Sequence, residues 1–144
     1  MTRQFAISAG VMFVMAFALS WLVHGGLLHS DYMGMLSWMR KPEDTHSLMP
    51  WMILAHAVFG AAFAWVYLQG VEDRPWLAQG IRYGLAIACL AIVPVYLIYH
   101  VVTPVPLFVA FKQIVFDTVR LVLMGIVLAW LNRSEARRPQ GLVG

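Results

Sequence analysis

Cysteine occurs once in this chain, at position 89. A single cysteine excludes a disulfide framework within the chain, and its place inside an apolar run says nothing about redox compartment. Charge is scarce as well. Charged side chains make up 12% of the 144 residues, against about 25% in soluble domains. That deficit excludes an ordinary water-soluble domain. The net charge of +3 comes from basic residues that mostly flank apolar stretches and form no basic face, so a nucleic-acid surface is excluded too. Catalytic signatures are also missing. No serine stands in a nucleophile elbow, no carboxylate pair lies inside an apolar run, and no glycine loop suits a phosphate. There is no CxxC and no HxxxH within an apolar run. These absences point away from an enzyme.

What the chain has in quantity is apolar length, 61% of its residues. Four runs, about 5–24, 50–69, 79–102 and 106–130, are each long enough for a membrane helix of ~20 residues. The expected fold is all-α: a single domain, 1–144, forming an integral membrane four-helix bundle with up-down-up-down order. The first run also has the look of a signal peptide, with Ala18-Leu19-Ser20 as a small-residue cleavage site, but it is long for one. Between the first two runs lies the one long connection, 25–49. Its Tyr32, Met35, Leu36 and Trp38 predict an interfacial helix over Tyr32–Met39, broken by Pro42. Pro94 predicts a kink in the third run. Thr103-Pro104-Val105-Pro106 turns tightly, making the third and fourth runs antiparallel neighbours. Residues 132–144 form a polar tail.

Basic residues orient the four runs. Arg3, Arg74, Arg82, Arg133, Arg137 and Arg138 fall on one side, Arg40 and Lys41 on the other. The asymmetry places both termini in the cytoplasm. The expected location is a bacterial inner membrane.

The fourth run is the unusual one. It carries Lys112, Gln113, Asp117 and Arg120, and each charge at mid-bilayer costs about 2.5–3.5 kcal/mol on insertion scales. With Lys112 at zero, Arg120 falls at about 80°, Gln113 at about 100° and Asp117 at about 140°. The four share one side, with Phe108, Phe111, Val115, Val122 and Ile126 opposite. The remaining helices are expected to cover the polar side. Asp117 and Arg120, three apart, suit an intramembrane ion pair. They also suit a proton or ion route, for which such residues are common parts.

All five histidines lie towards the outer level in this arrangement. His24 ends the first run, His29 and His46 sit in the connection, and His56 and His100 lie in the second and third runs. His24, His56, Tyr96, His100, Lys112 and Gln113 are the candidates for an outer polar pocket. Such a pocket would take a small ligand, a lipid head group or a partner segment. His56 and His100 are also candidate ligands for a transition metal or a haem. Plainer readings stand beside these. His24, His29 and His46 suit solvated interfacial positions, and His100 suits a bond to carbonyls of its last turn. Met33, Met35, Met39 and Met49 could ligate Cu(I) or simply fill space. Cys89 reads as a small hydrophobe. Helical stripes add detail: Phe13, Phe17, Ser20 and His24 share one face, as do His56, Gly60, Phe63 and Tyr67, and Cys89, Val93, Tyr96 and His100. Gly60 and Ala64 permit close approach of a neighbour.

Four features taken together carry a resemblance. They are Trp21 and His24 at the end of the first run, GIRYG at 80–84, the internal Pro94, and the Pro104-Val105-Pro106 turn into a polar fourth run. Over roughly residues 10–131 the chain resembles an uncharacterised bacterial family of small four-helix inner-membrane proteins. The resemblance implies the fold and the membrane location, and no catalytic residue.

The functional expectation is a small non-enzymatic membrane protein with an outer His/Lys pocket. Membrane lipid, a membrane-protein partner or a second copy are its expected associates. The alternatives are an accessory or assembly subunit of a larger membrane complex, and a haem or metal protein.

Overall fold

In the computed structural model, residues 3–35, 40 and 42–133 are described, the side chains of 42 and 43 excepted. The described chain is all helix and turn, with no strand. Helix α1 covers Arg3–Leu27, α2 His29–Met33 and α3 Pro42–Thr45. A 3-10 turn, His46–Leu48, leads into α4, Met49–Gln69. Then come α5, Trp76–Val102, and α6, Leu107–Leu131. Helices α1, α4 (with its 3-10 turn), α5 and α6 are long and apolar enough to cross a membrane. The arrangement suits a multi-pass membrane protein built as a helical bundle. Helices α1 and α5 extend two or three residues beyond their apolar runs, and α4 and α6 match theirs to within one residue. The backbone continues the helix beyond the runs, at Arg3-Gln4 before the first and at Trp76-Leu77-Ala78 before the third.

Packing proceeds in pairs. Helix α1 lies along α4, α5 along α6, and α1 also meets α6. Small residues make the two close crossings. A Cβ added at Gly60 would lie 2.6 Å from Phe13 N and 2.8 Å from Phe13 Cα, so α4 presses directly on the α1 backbone. At the other crossing, a Cβ on Gly84 would stand 2.5 Å from Val122 Cα. One on Gly80 would stand 2.6 Å from Gly125 O. The Gly80–Gly84 pair is therefore a small-xxx-small contact set against Gly125. Without water to drive helices together, such backbone proximity supplies the van der Waals contact that associates them. The core joining the pairs contains Met12, Ala16, Phe63, Ala64, Tyr67, Leu121, Met124 and Leu128. Tyr83 reaches across from α5, donating its hydroxyl to Phe63 O at 2.6 Å and packing edge-on to Phe63 and Tyr67.

The ends of the bundle are tied by polar groups. Gln4 Nε2 donates to Leu131 O and to Asn132 Oδ1, both at 3.0 Å, and Asn132 Nδ2 donates to Ser8 Oγ at 3.2 Å. In the exposed α4–α5 turn, Glu72 meets Arg74 at 2.5 Å and Arg82 at 2.8 Å. The Arg82 bond holds the Glu72 carboxyl below its ordinary range, and Arg74 adds to this.

Two helices contain π-turns. The first, Trp21–Leu27, closes α1. The second, Ala88–Ile92, precedes Pro94, and Val93 N–H reaches back to Ala88 O. Pro94 has no N–H to offer Leu90 O, so the widened turn is where the expected disturbance falls. It also breaks the expected stripe: Ala88 is buried while Cys89 faces outward. Of the expected interfacial helix, α2 ends at Met33, Met35 packs against Val105, Val109 and Ala110, and residues 36–39 lie outside the described residues. The tail from 134 onward, with Arg137 and Arg138, also lies outside them, as do Met39 and Lys41.

Candidate functional site

The site is built around Asp117. It sits ten residues into α6, about 15 Å along the helix at 1.5 Å per residue, and its side chain has no exposed surface. Three side chains converge on its carboxylate. Tyr96 of α5 donates its hydroxyl to Oδ2. His24 Nε2 of α1 stands 3.3 Å from the same oxygen. Arg120, one turn along α6, brings Nε to 3.1 Å of Oδ1. That contact lacks the alignment of a hydrogen bond, and both atoms are otherwise without a hydrogen-bond partner. It is an ion pair held by charge. Since a guanidinium does not give up its proton, Arg120 supplies a permanent counter-charge beside Asp117.

The π-turn explains how His24 gets there. In an unbroken α-helix His24 would follow Phe17 by seven residues, almost two full turns, and share its face. Phe17 faces α4, where its ring meets His56 edge-on at 5.3 Å. The π-turn spends an extra residue on the last turn and so directs the His24 ring to α6 instead.

Helix α2 packs over the cluster at its more exposed end. Tyr32 OH lies 2.7 Å from His24 Nδ1, and the two rings are stacked with centroids 6.0 Å apart. Gln113 Nε2 donates to the Tyr32 oxygen at 3.0 Å. Burial pushes the Tyr32 hydroxyl up from its ordinary range, against the opposing effect of the Gln113 bond, with Asp117 and Asp31 adding to the rise. Beside it, Lys112 Nζ donates to both carboxylate oxygens of Asp31 at 3.0 Å and rests over the Phe108 ring. His24 and Lys112 remain 29% and 32% exposed, so this end of the cluster is open while Asp117 is closed.

Of the candidate residues, the structure brings His24, Tyr96, Gln113, Asp117 and Arg120 into one connected cluster, with Lys112 at its edge. His56 and His100 stay apart from it. His56 Nδ1 bonds Met52 O of its own helix at 2.7 Å. His100 Nδ1 bonds Val105 O at 2.7 Å, across the α5–α6 turn rather than within the last turn of α5. Among the described residues no group of three His, Cys, Asp or Glu side chains is placed to hold a metal ion. Met33 is exposed and Met35 buried in a separate apolar cluster, so these two do not form a shared thioether site.

Asp31 and Tyr32 are the members that sequence reasoning missed. Tyr32 was legible only as an interfacial aromatic, and Asp31 was not singled out. A usable signal existed for Asp31. An intramembrane Lys112 needs an anionic partner, and α6 itself offers only Asp117, which Arg120 already claims. No protein-family model, curated protein or solved structure matches this chain. The reading of the site therefore rests on its geometry.

Proposed function

We propose that the chain is a small non-enzymatic protein of the bacterial inner membrane, crossing it four times with both termini in the cytoplasm. In that orientation α2 and the open end of the cluster face the outer side. The reading is that this end binds a small polar ligand between α1, α2 and α6. The observation that carries it is the convergence of His24, Tyr32, Lys112 and Gln113 at a partly open end above a closed Asp117. Polar side chains held at this depth need partners, and a partly open set can exchange one for a ligand. A lipid head group or a partner segment would use the same donors. Native mass spectrometry of protein released from membranes tests the reading. A small-molecule or lipid adduct should remain on the wild type and be lost from Lys112→Met. Identical spectra for the two would remove the ligand-binding reading.

A second reading, an accessory subunit of a larger complex, would seat its partner on α5. Its Leu90, Ile98, Tyr99, Val101 and Val102 are all exposed, a surface that fits lipid or another membrane helix equally well. Purification in mild detergent separates the two. A stoichiometric companion protein supports the subunit reading, and a homogeneous single chain opposes it.

A further inference from the structure

The polar groups above Asp117 form a line. The Gln113 amide, the Tyr32 hydroxyl, the His24 ring and the Asp117 carboxylate follow one another in contact, and the Lys112–Asp31 pair flanks them at the open end through the chain neighbours of Gln113 and Tyr32. Donor and acceptor capacity sets the direction of the protons. The Tyr32 oxygen accepts from Gln113 and carries one proton of its own. Its other partner is His24 Nδ1, so the hydroxyl proton points there. Nδ1 is then bare, and the ring proton on Nε2 faces Asp117 Oδ2. Past Asp117 the carboxylate meets Tyr96, whose one proton is committed to Oδ2, and Arg120, which has no acceptor, so neither carries the line further. Met12, Ala16, Leu121, Met124 and Leu128 are apolar and at most 1% exposed. The Tyr83 hydroxyl is spent on Phe63 O, and the cluster of Gln4, Ser8 and Asn132 lies at the far ends of α1 and α6.

We propose that this line is a proton-binding site loaded from the α2 end alone, a half-path that ends at His24 and Asp117 and does not cross the protein. This goes beyond ligand binding and does not depend on it. As a hydronium ion at the open end gives a proton to the Tyr32 oxygen and leaves as water, the proton already there passes to His24 Nδ1. One N–H bond forms, one O–H bond is broken and remade, and the His24 ring gains one proton. Imidazole is suited to this because its ring holds one proton when neutral and one on each nitrogen when charged. The groups facing it are Tyr32 and Asp31 from α2, Tyr96 from α5, and Lys112, Gln113, Asp117 and Arg120 from α6. Lys112 matches Asp31 and Arg120 matches Asp117, so the entering proton adds one net positive charge beside Asp117 Oδ2. It also turns Nδ1 into a donor. The Tyr32 oxygen would then accept from both His24 and Gln113, and its own proton must find a new acceptor. Loading the site thus rearranges the hold on α2.

The test is nitrogen NMR of the histidine-labelled full chain in nanodiscs, titrated from about pH 8 to about pH 5. Proton flux is measured beside it in proteoliposomes under an imposed pH gradient. The His24 signals are assigned by their loss in His24→Gln or, should that variant not fold, by their displacement in Tyr32→Phe. The expected result has the proton on Nε2 at high pH and on both nitrogens at low pH, with flux no greater than in protein-free vesicles. A proton on Nδ1 at high pH, or a ring unchanged across the titration, overturns the proposal. So does a flux above that of protein-free vesicles that Asp117→Asn abolishes, because the line would then cross the protein.

Discussion

His24 and Asp117 are 93 positions apart in the chain, yet His24 Nε2 stands 3.3 Å from Asp117 Oδ2. The contact joins the last turn of α1 to the middle of α6. It gives the buried carboxylate a second basic neighbour besides Arg120, and it shares Oδ2 with the Tyr96 hydroxyl. Asp117 is thus the acceptor on which three helices agree.

Removing that acceptor alone should be severe. Asp117→Ala leaves Arg120 without its counter-charge, and breaking a buried pair from one side typically costs ~3–5 kcal/mol. The double change Asp117→Ala with Arg120→Leu should be milder. It should not reach wild type, because Tyr96 and His24 still lose an acceptor at about 1–3 kcal/mol each. Thermal unfolding in detergent ranks the three proteins. A double variant as damaged as the single one would mean that Arg120 is not the residue most dependent on Asp117.

The glycine crossings make a sharper prediction. Gly84→Ala places a methyl 2.5 Å from Val122 Cα, where only backbone can give way. Overpacking of this kind costs about 1–3 kcal/mol, and Gly60→Ala against Phe13 should behave likewise. Gly10→Ala is the control, since nothing lies within 4 Å of its added Cβ. There the better helix propensity of alanine should stabilise by up to about 1 kcal/mol. Equal melting temperatures for Gly84→Ala and Gly10→Ala would contradict the close α5–α6 crossing.

The Lys112–Asp31 pair holds α2 at the surface, where it is partly screened by solvent. Lys112→Met should therefore cost only about 1 kcal/mol or less in global stability. Its effect should appear locally, as faster proteolysis within residues 25–49. High salt should produce a similar effect in the wild type by screening the exposed side of the pair. An unchanged cleavage rate in both cases would show that the apolar contacts of Met35 suffice to seat α2.

Topology can be checked independently of the site. Fusions of alkaline phosphatase and green fluorescent protein to the C-terminus should be inactive and fluorescent, respectively. Both reporters follow from a cytoplasmic tail. Active phosphatase would invert the assignment and put the open end of the Asp117 cluster on the inner side.

Composition and apolar run length were enough to determine four long helices, because a bilayer-length apolar segment has few other ways to satisfy its backbone. The polar side of α6 was also legible. Helical periodicity alone puts Lys112, Gln113, Asp117 and Arg120 together, and the Asp117–Arg120 neighbourhood follows from a spacing of three. The sequence named His24 and Tyr96 as candidates, but not as partners of Asp117. Periodicity placed His24 on the Phe17 face, and only the π-turn at Trp21–Leu27, a feature of backbone packing, redirects it to α6. Tyr32 and Asp31 reach the site because α2 folds back over α6, a long-range contact with no local periodic signal. The same holds for Gly80 and Gly84. Their spacing permits a close crossing, but which backbone they meet was decided by how α5 lies on α6. Local chemistry determined which residues needed partners; tertiary packing decided which partners they received.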